Sequence, residues 1–222
     1  MNVVIAFGGS LIDFDKDYFQ KFKRMIEEIS KEHRLFMVVG GGRVAREYIR
    51  FAREMNLSEE ELDVIGIDAT RLNARLISHI LKANREIPKT TDEARNVKSK
   101  IVVMGGTTPG HSTDAVAAEL AEKIDADLLV IATDVDGIYD KDPKKYQDAK
   151  LFREISIDKL IEMCGTEWKR AGESVAIDGP ALNIAKRSRY DIIVVNGKKL
   201  DNLRRAILKE DFIGTKIIKR ED

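Results

Sequence analysis

The stretch Leu35-Phe-Met-Val-Val-Gly-Gly-Gly-Arg-Val-Ala-Arg46 decides the fold class. Five apolar residues in a row, without alternation, read as a strand buried on both faces, the habit of parallel sheets. Three glycines then turn the chain. Behind Gly42 a helical pattern begins, with Ala45, Tyr48, Ala52 and Met55 at i, i+3, i+7, i+10 spacing. The same grammar recurs on both sides. β-Branched runs stand at Val3 to Phe7, Ile101 to Met104, Leu128 to Ala132 and Ile192 to Val195. Between them, Phe19, Phe22, Ile26 and Ile29 keep helical spacing behind Asp15 and Asp17, and Val116, Leu120 and Ile124 keep it behind Asp114. A short helix is expected from Ser156 to Gly165. Another opens at Asp178-Gly-Pro-Ala with Pro180 in its first turn. Asn196-Gly197 reads as a turn, and a final short strand is expected after Gly214-Thr-Lys-Ile. Strand–helix–strand alternation without a linker or repeat argues for an open α/β sandwich.

Two segments depart from this rhythm. From Leu62 to Leu81 one face carries Ile65, Ala69, Leu72, Leu76 and Ile80, while the opposite face carries Ile67, Ala74, Ile77 and Leu81. A helix that is apolar on two sides needs a second cover, either a loop of its own chain or another subunit. Thr133 to Phe152 is rich in Asp, Lys and Gly and lacks periodicity, so it reads as a long loop at a strand end, where function concentrates.

The 222 residues suit one large domain or two small lobes. Lys+Arg and Asp+Glu both total 38, so formal net charge is zero. That balance removes the bulk electrostatic case for wrapping nucleic acid or coating an acidic membrane. Charged residues reach 34%, above the usual share of about a quarter, which leans towards a heat-adapted protein. The lone Cys164 excludes an internal disulfide framework and a Cys-based zinc cluster, and reads as a small buried hydrophobe. No apolar run approaches the ~20 residues of a membrane span. The opening MNVVIAFGGSL has no basic flank or cleavage site and reads as a first strand. A soluble, cytoplasmic protein is expected.

Glycine-rich strand exits carry the chemistry. Gly8-Gly9-Ser10 follows the first strand, Gly40-Gly41-Gly42-Arg43 the second, and Gly105-Gly-Thr-Thr-Pro-Gly-His-Ser-Thr-Asp114 the third. Glycine lets backbone approach phosphate closely, and helix N-termini aim unpaired N–H groups at anions. One such turn is common geometry; three at the same end of a parallel sheet point to ligand. Arg43 and Arg46 lie in the first turns of a helix, where a cation opposes the dipole by several tenths of a kcal/mol (~0.3–1). A bound phosphate would offset that cost, and Arg46 is the expected clamp. Arg50 and Arg53, on the same stripe, read as a solvated face. There is no GxxxxGK[ST] motif. Gly40-x-Gly42-x-x-Ala45 with Asp63 also fits a loose dinucleotide fingerprint, so a nicotinamide dehydrogenase is a rival. That rival leaves two glycine exits unexplained. His111, in a Gly/Ser/Thr-rich loop, reads as a hydrogen-bonding structural residue, and no His/Cys/carboxylate spacing resembles a metal cage.

Ile5-Ala-Phe-Gly-Gly-Ser10, Val38-Val-Gly-Gly-Gly-Arg-Val-Ala-Arg46, Met104-Gly-Gly-Thr-Thr-Pro-Gly-His-Ser-Thr-Asp114 and Ala132-Thr-Asp-Val-Asp-Gly-Ile-Tyr-Asp-Lys-Asp-Pro143 occur in that order. Together they resemble the amino acid kinase superfamily, and within it the archaeal-type uridylate (UMP) kinases. The resemblance implies a three-layer α/β/α sandwich with a mostly parallel central sheet. It implies a single domain over residues 1–222, acceptor-binding in its N-terminal part and ATP-binding from about residue 125. It implies transfer of a phosphoryl group from Mg·ATP to UMP in pyrimidine nucleotide synthesis, and a homohexamer built as a trimer of dimers.

By the same resemblance Gly9, Ser10, Gly42, Arg46, Thr133, Asp134, Tyr139 and Asp142 would hold ATP. Gly41, Asp63, Thr107, Thr108, Pro109, Gly110, His111, Ser112 and Thr113 would hold UMP. Arg46, Asp114 and Asp178 would act in catalysis, with helix N-capping as a compatible role for both aspartates. No protein metal cage is implied, since Mg²⁺ would be bound mainly by the ATP phosphates. Relatives acting on isopentenyl phosphate, carbamate, acetylglutamate or aspartate are the alternative enzymes. The isopentenyl phosphate enzymes typically place a histidine in the second glycine segment, which here reads GGGRVAR. A metal-oxide storage protein on the same scaffold is the non-enzymatic alternative. Many superfamily members carry lysine two residues before the first Gly-Gly, where this chain has Ala6.

Overall fold

The computed structural model describes residues 1–164 and 177–219. The side chain of Cys164 and the helix end expected at Gly165 lie outside the described residues. Among the described residues seven strands form one sheet: β1 (Asn2–Phe7), β2 (Arg34–Val39), β3 (Ile101–Met104), β4 (Leu128–Thr133), β5 (Glu154–Ser156), β6 (Asp191–Asn196) and β7 (Gly214–Ile218). Their order is β3-β2-β1-β4-β6-β7-β5. All neighbouring pairs are parallel except β6 with β7. The sheet is therefore mostly parallel, as expected. The stretch from Gly214 is itself the last strand, and β5 has no counterpart in the sequence reading. Three residues are too few to show a period.

The pleat divides the core. Val4, Ala6, Phe36, Val38, Leu129, Ile131, Ile192 and Val194 face one layer. That layer is built from α4 (Thr91–Asn96), α5 (Thr113–Lys123), α6 (Ile157–Cys164) and α7 (Gly179–Arg187). Val3, Ile5, Phe7, Leu35, Met37, Val130 and Val195 face the other. It is built from α1 (Lys16–Ile29), α3 (Glu59–Leu81) and α8 (Leu200–Ile207). Strands with apolar residues on both faces are thereby covered twice, which explains their unbroken runs. α5 is buried among the sheet, α4 and α7, and its small residues Ala115, Ala117, Ala118 and Ala121 are all fully buried.

α2 (Gly42–Glu54) lies outside this pattern. Its buried residues Ala45, Ile49 and Ala52 pack on Leu62 and Ala69 of α3 rather than on the sheet. Tyr48 and Met55, expected on the buried stripe, are 66% and 60% exposed. The stripe is rotated by one residue because Ile49 is the side chain that meets α3. α3 is two-sided as expected: Ala74, Ile77 and Leu81 meet the sheet layer, and Ala69 meets α2. Leu72 and Leu76 remain 62% and 38% exposed, so no loop of the chain covers that face among the described residues.

Candidate active site

The strand order lines up the exits of β3, β2, β1, β4 and β6 along one sheet edge. The chain runs outward from β1 to β2 and β3 on one side, and from β4 towards β6, β7 and β5 on the other, so the winding reverses between β1 and β4. Crevices outside such a reversal are where α/β sheets bind ligands. The exits of β1 and β2 touch through backbone alone. A Cβ on Gly9 would stand 2.1 Å from the amide nitrogen of Gly42, and one on Gly42 would stand 2.2 Å from the carbonyl of Gly9. Gly42 also has φ +59°, a left-handed conformation that side chains resist. Neither position has room for any other residue. α2 starts at this contact with Gly41 as N-cap and no side-chain cap, so its first N–H groups remain available to an anion.

Three residues of α3 hold the β2 and β3 exits. Asn73, buried, donates through Nδ2 to the carbonyls of Gly40 at 2.9 Å and Gly41 at 3.0 Å. The Thr70 hydroxyl accepts from the amide of Gly106 at 2.6 Å and donates to the carbonyl of Ile67. Arg71 donates to the carbonyls of Gly106 at 3.2 Å and Thr107 at 3.0 Å. Sequence reasoning missed all three. The available signal was the cluster of Thr70, Arg71 and Asn73 in the middle of a helix that carries apolar stripes on two sides.

Of the expected acceptor residues, Asp63 on α3 accepts from the amide of Gly110 at 2.8 Å, tying helix to loop. Thr107, Thr108, Pro109, Gly110 and His111 form the loop between β3 and α5, and Thr108 Oγ1 lies 3.3 Å from His111 Nδ1. The structural reading of His111 matches this local contact. Ser112 is the N-cap of α5: its extended backbone lets Oγ accept from the amide of Ala115 at 2.9 Å. The capping role expected of Asp114 therefore belongs to Ser112. Asp114 sits one residue beyond Thr113, inside the first turn, because the chain enters helical geometry earlier.

Asp178 does cap its helix, accepting from the amide of Ala181 at 2.9 Å. Its second oxygen, Oδ2, is buried without a partner among the described residues. Asp114 lies near enough to feel that charge. Burial, with Asp178 adding, pushes the Asp114 carboxyl up to about 8. The side-by-side aspartates are thus relieved by Asp114 keeping its proton near neutral pH, a pattern common at functional sites.

On the other flank, Thr133 ends β4 and its carbonyl accepts from the amide of Gly197 at 2.8 Å. Asp134 pairs with Lys144 at 2.7 Å. Burial works to raise the Asp134 carboxyl, but the hydrogen bond and charge of Lys144, helped by Lys198, outweigh it and hold it below the usual carboxylate value. Tyr139 bridges to Leu151 across the loop, and Asp142 Oδ1 accepts from the amide of Lys144 at 2.9 Å. The loop is pinned from beneath by buried Thr215, which accepts from the amide of Ile138 at 2.8 Å and donates to the carbonyl of Phe152. Ser10 lies in the turn Gly9–Leu11, beside this flank. Arg46 is exposed on α2, with no hydrogen bond or ion pair among the described residues. Arg43 lies 5.9 Å from the Phe14 ring and 3.8 Å from Glu47.

Two glycine turns in backbone contact, an unpaired arginine and a threonine-rich loop on a mostly parallel sheet describe a phosphate-handling α/β protein. The profile of the Amino acid kinase family matches residues 1–196, and the chain belongs to that family. It is 46% identical over 224 residues to a uridylate kinase of Methanothermobacter thermautotrophicus, covering 98% of this chain and 99% of that one. It is 43% identical over 226 residues to a uridylate kinase of Methanobrevibacter smithii, covering 99% and 100%. The crystal structure of uridylate kinase from Archaeoglobus fulgidus superposes with a TM-score of 0.87 at 40% identity, covering 98% of this chain and all of that one. The dehydrogenase rival is thereby set aside.

Proposed function

We propose that the protein is a nucleoside monophosphate kinase that transfers a phosphoryl group from ATP to UMP, giving UDP and ADP. The carrying observation is the Gly9–Gly42 backbone contact, which sets two glycine turns back to back at the sheet edge, a geometry suited to binding two phosphate groups. The full-length likeness to uridylate kinases supports UMP as acceptor.

The chemistry needs no general base. A nucleoside monophosphate is already largely dianionic at neutral pH, because its second pKa is about 6. The obstacle is bringing two polyanions into line, so catalysis rests on positioning and charge neutralisation. Gly9, Ser10 and Gly42 would present backbone to the ATP phosphates, and Thr133, Asp134, Tyr139 and Asp142 would enclose its adenosine. Gly41, Asp63 and the loop Thr107 to Thr113 would hold UMP, with Arg46 reaching the phosphates between them. Asp114 and Asp178 would organise the centre. Mg²⁺ would enter with the ATP phosphates, whose hard oxygens suit it; among the described residues no three His, Cys, Asp or Glu side chains converge on one point.

In this reading residues 1–222 act as one domain, the N-terminal part receiving UMP and the part from about residue 125 receiving ATP. No described helix is long and apolar enough to cross a membrane, which suits a cytoplasmic enzyme of pyrimidine nucleotide synthesis. The exposed Val64, Leu72 and Leu76 of α3 and Tyr48, Phe51 and Met55 of α2 would be covered by a second subunit, the first step towards a homohexamer. An ADP-release assay with Mg·ATP across UMP, CMP, dUMP, isopentenyl phosphate and carbamate tests the acceptor. UMP should dominate; dominant turnover of a non-nucleotide defeats the assignment while sparing the fold.

A further inference from the structure

Ala6, the next-to-last residue of β1, is 2% exposed and packs against the α5 layer. The β1 exit therefore offers the donor phosphates backbone N–H groups but no cation of its own strand. Besides Arg46 from the β2 exit, a further cation can come from the β4–β6 flank, where Lys141, Lys144, Lys145, Lys198 and Lys199 each face a carboxylate. Lys144 is hydrogen-bonded to Asp134 at 2.7 Å. Lys199 is held by Asp136 at 2.7 Å, and that carboxylate also accepts from Asn196. Lys198 is held more loosely than these two: its nearest carboxylate, Asp13, is 3.5 Å away, and both side chains are about half exposed.

The backbone beneath Lys198 is fixed. Gly197 donates its amide to Thr133, and its carbonyl accepts from the Tyr18 hydroxyl at 2.8 Å. A Cβ on Gly197 would stand 2.3 Å from Leu11, so this turn is wedged against the end of the Gly9–Leu11 turn. The amide of Lys198 is held by Asn196 Oδ1 at 3.0 Å. Lys198 thus springs from a rigid turn at the β6 exit, held to the end of β4 and wedged against Leu11 of the β1 exit, with a half-exposed side chain. An exposed pair such as Lys198–Asp13 contributes about 0–1 kcal/mol, so a polyphosphate can displace the carboxylate. A flexible ammonium is well suited to that task as a point charge.

We infer that Lys198 leaves Asp13 and binds the phosphate chain of the donor nucleotide, supplying the positive charge that β1 lacks. This rests on the donor flank assigned above and adds a residue to it. The test uses direct binding, so it does not depend on the acceptor. Titration calorimetry with ADP should show Lys198→Gln binding about tenfold more weakly than the unaltered protein, the loss expected for one charge-assisted contact. Lys198→Arg should recover most of it. Asp13→Asn, which frees the lysine, should leave ADP affinity unchanged or raise it. In turnover, Lys198→Gln should raise KM for Mg·ATP and leave KM for UMP within about twofold. Equal ADP affinity in Lys198→Gln overturns the inference. So does a loss in Asp13→Asn matching that in Lys198→Gln, because the pair would then act only as a structural tie. If the unaltered protein failed to phosphorylate UMP, the acceptor assignment would fall, and the ADP titrations would still decide the role of Lys198.

Discussion

The two flanks of the site are built from different forces. On the β2–β3 side, Asn73, Thr70 and Arg71 reach from α3 to backbone carbonyls and an amide, and Asp63 fastens the loop tip. These are short contacts, several of them buried, which salt screens little. On the β4–β6 side, Thr215 and the Gly197 turn hold the backbone from beneath, but the outer face is set by Lys–Asp pairs at the surface: Lys144 with Asp134, Lys141 with Asp148, Lys199 with Asp136 and Lys198 with Asp13. Exposed pairs are individually weak and exchange partners easily. One flank is a preformed cradle and the other a set of charges ready to be rearranged by an incoming polyanion. Fixed contacts suit recognition of a small acceptor, while mobile cations suit a donor whose charge must be gripped and released.

The largest effect should come from joining the flanks wrongly. Gly9→Ala forces the β1 and β2 exits apart, since the displaced atoms are backbone. Turnover should fall about a hundredfold or more, as misplacement by about an ångström does, while circular dichroism still reports a folded protein. Arg46→Ala comes next. It removes the unpaired cation without touching the core, and turnover with Mg·ATP and UMP should drop about tenfold to a hundredfold, the range for a lost charge-assisted contact. Near-normal turnover would show that Arg46 is only a solvated side chain.

Asn73→Ala separates the flanks more finely. Two backbone carbonyls lose a buried donor, at a cost of about 1–3 kcal/mol in stability. KM for UMP should rise several-fold while KM for Mg·ATP changes less. Equal changes in both would erase the division drawn between the two sides.

The last test concerns the aspartates and reads stability against pH rather than turnover. An unfolded aspartate has pKa about 3.9, against about 8 for Asp114 in the fold. Between those values the folded protein holds a proton that the unfolded chain has lost. The contribution of this group to stability is therefore full below about pH 4, declines as pH rises through about 8, and is flat above. Asp114→Asn removes the decline. The variant should melt higher than the unaltered protein at pH 9, by about 2–4 °C for each kcal/mol recovered. The gap should shrink steadily towards pH 5. A gap independent of pH would mean that the Asp178 charge and burial do not govern this carboxyl.

Much of the fold was legible because its strands are unbroken apolar runs, and the sheet that buries both faces of β1, β2 and β4 is the direct reason for them. The glycine exits were legible because phosphate chemistry and close backbone contact demand the same residue. Three features were hidden, each for a physical reason. The stripe of α2 shifted from Tyr48 to Ile49 because a neighbouring helix, not the sheet, chose the buried face. Ser112 rather than Asp114 capped α5, a difference of two residues that either side chain could have filled. The clamps Thr70, Arg71 and Asn73 act on loops some thirty residues away in sequence, beyond what local spacing can reveal.

The central claim is that the Gly9 and Gly42 turns present two nucleotides to each other across one backbone contact. A crystal structure with UMP and a non-hydrolysable ATP analogue measures it directly. The acceptor phosphate should lie at the start of α2 and the analogue's terminal phosphate beside the Gly9–Leu11 turn, aligned across Gly42. Ligands bound elsewhere on the molecule, with those turns occupied only by water, would contradict the account.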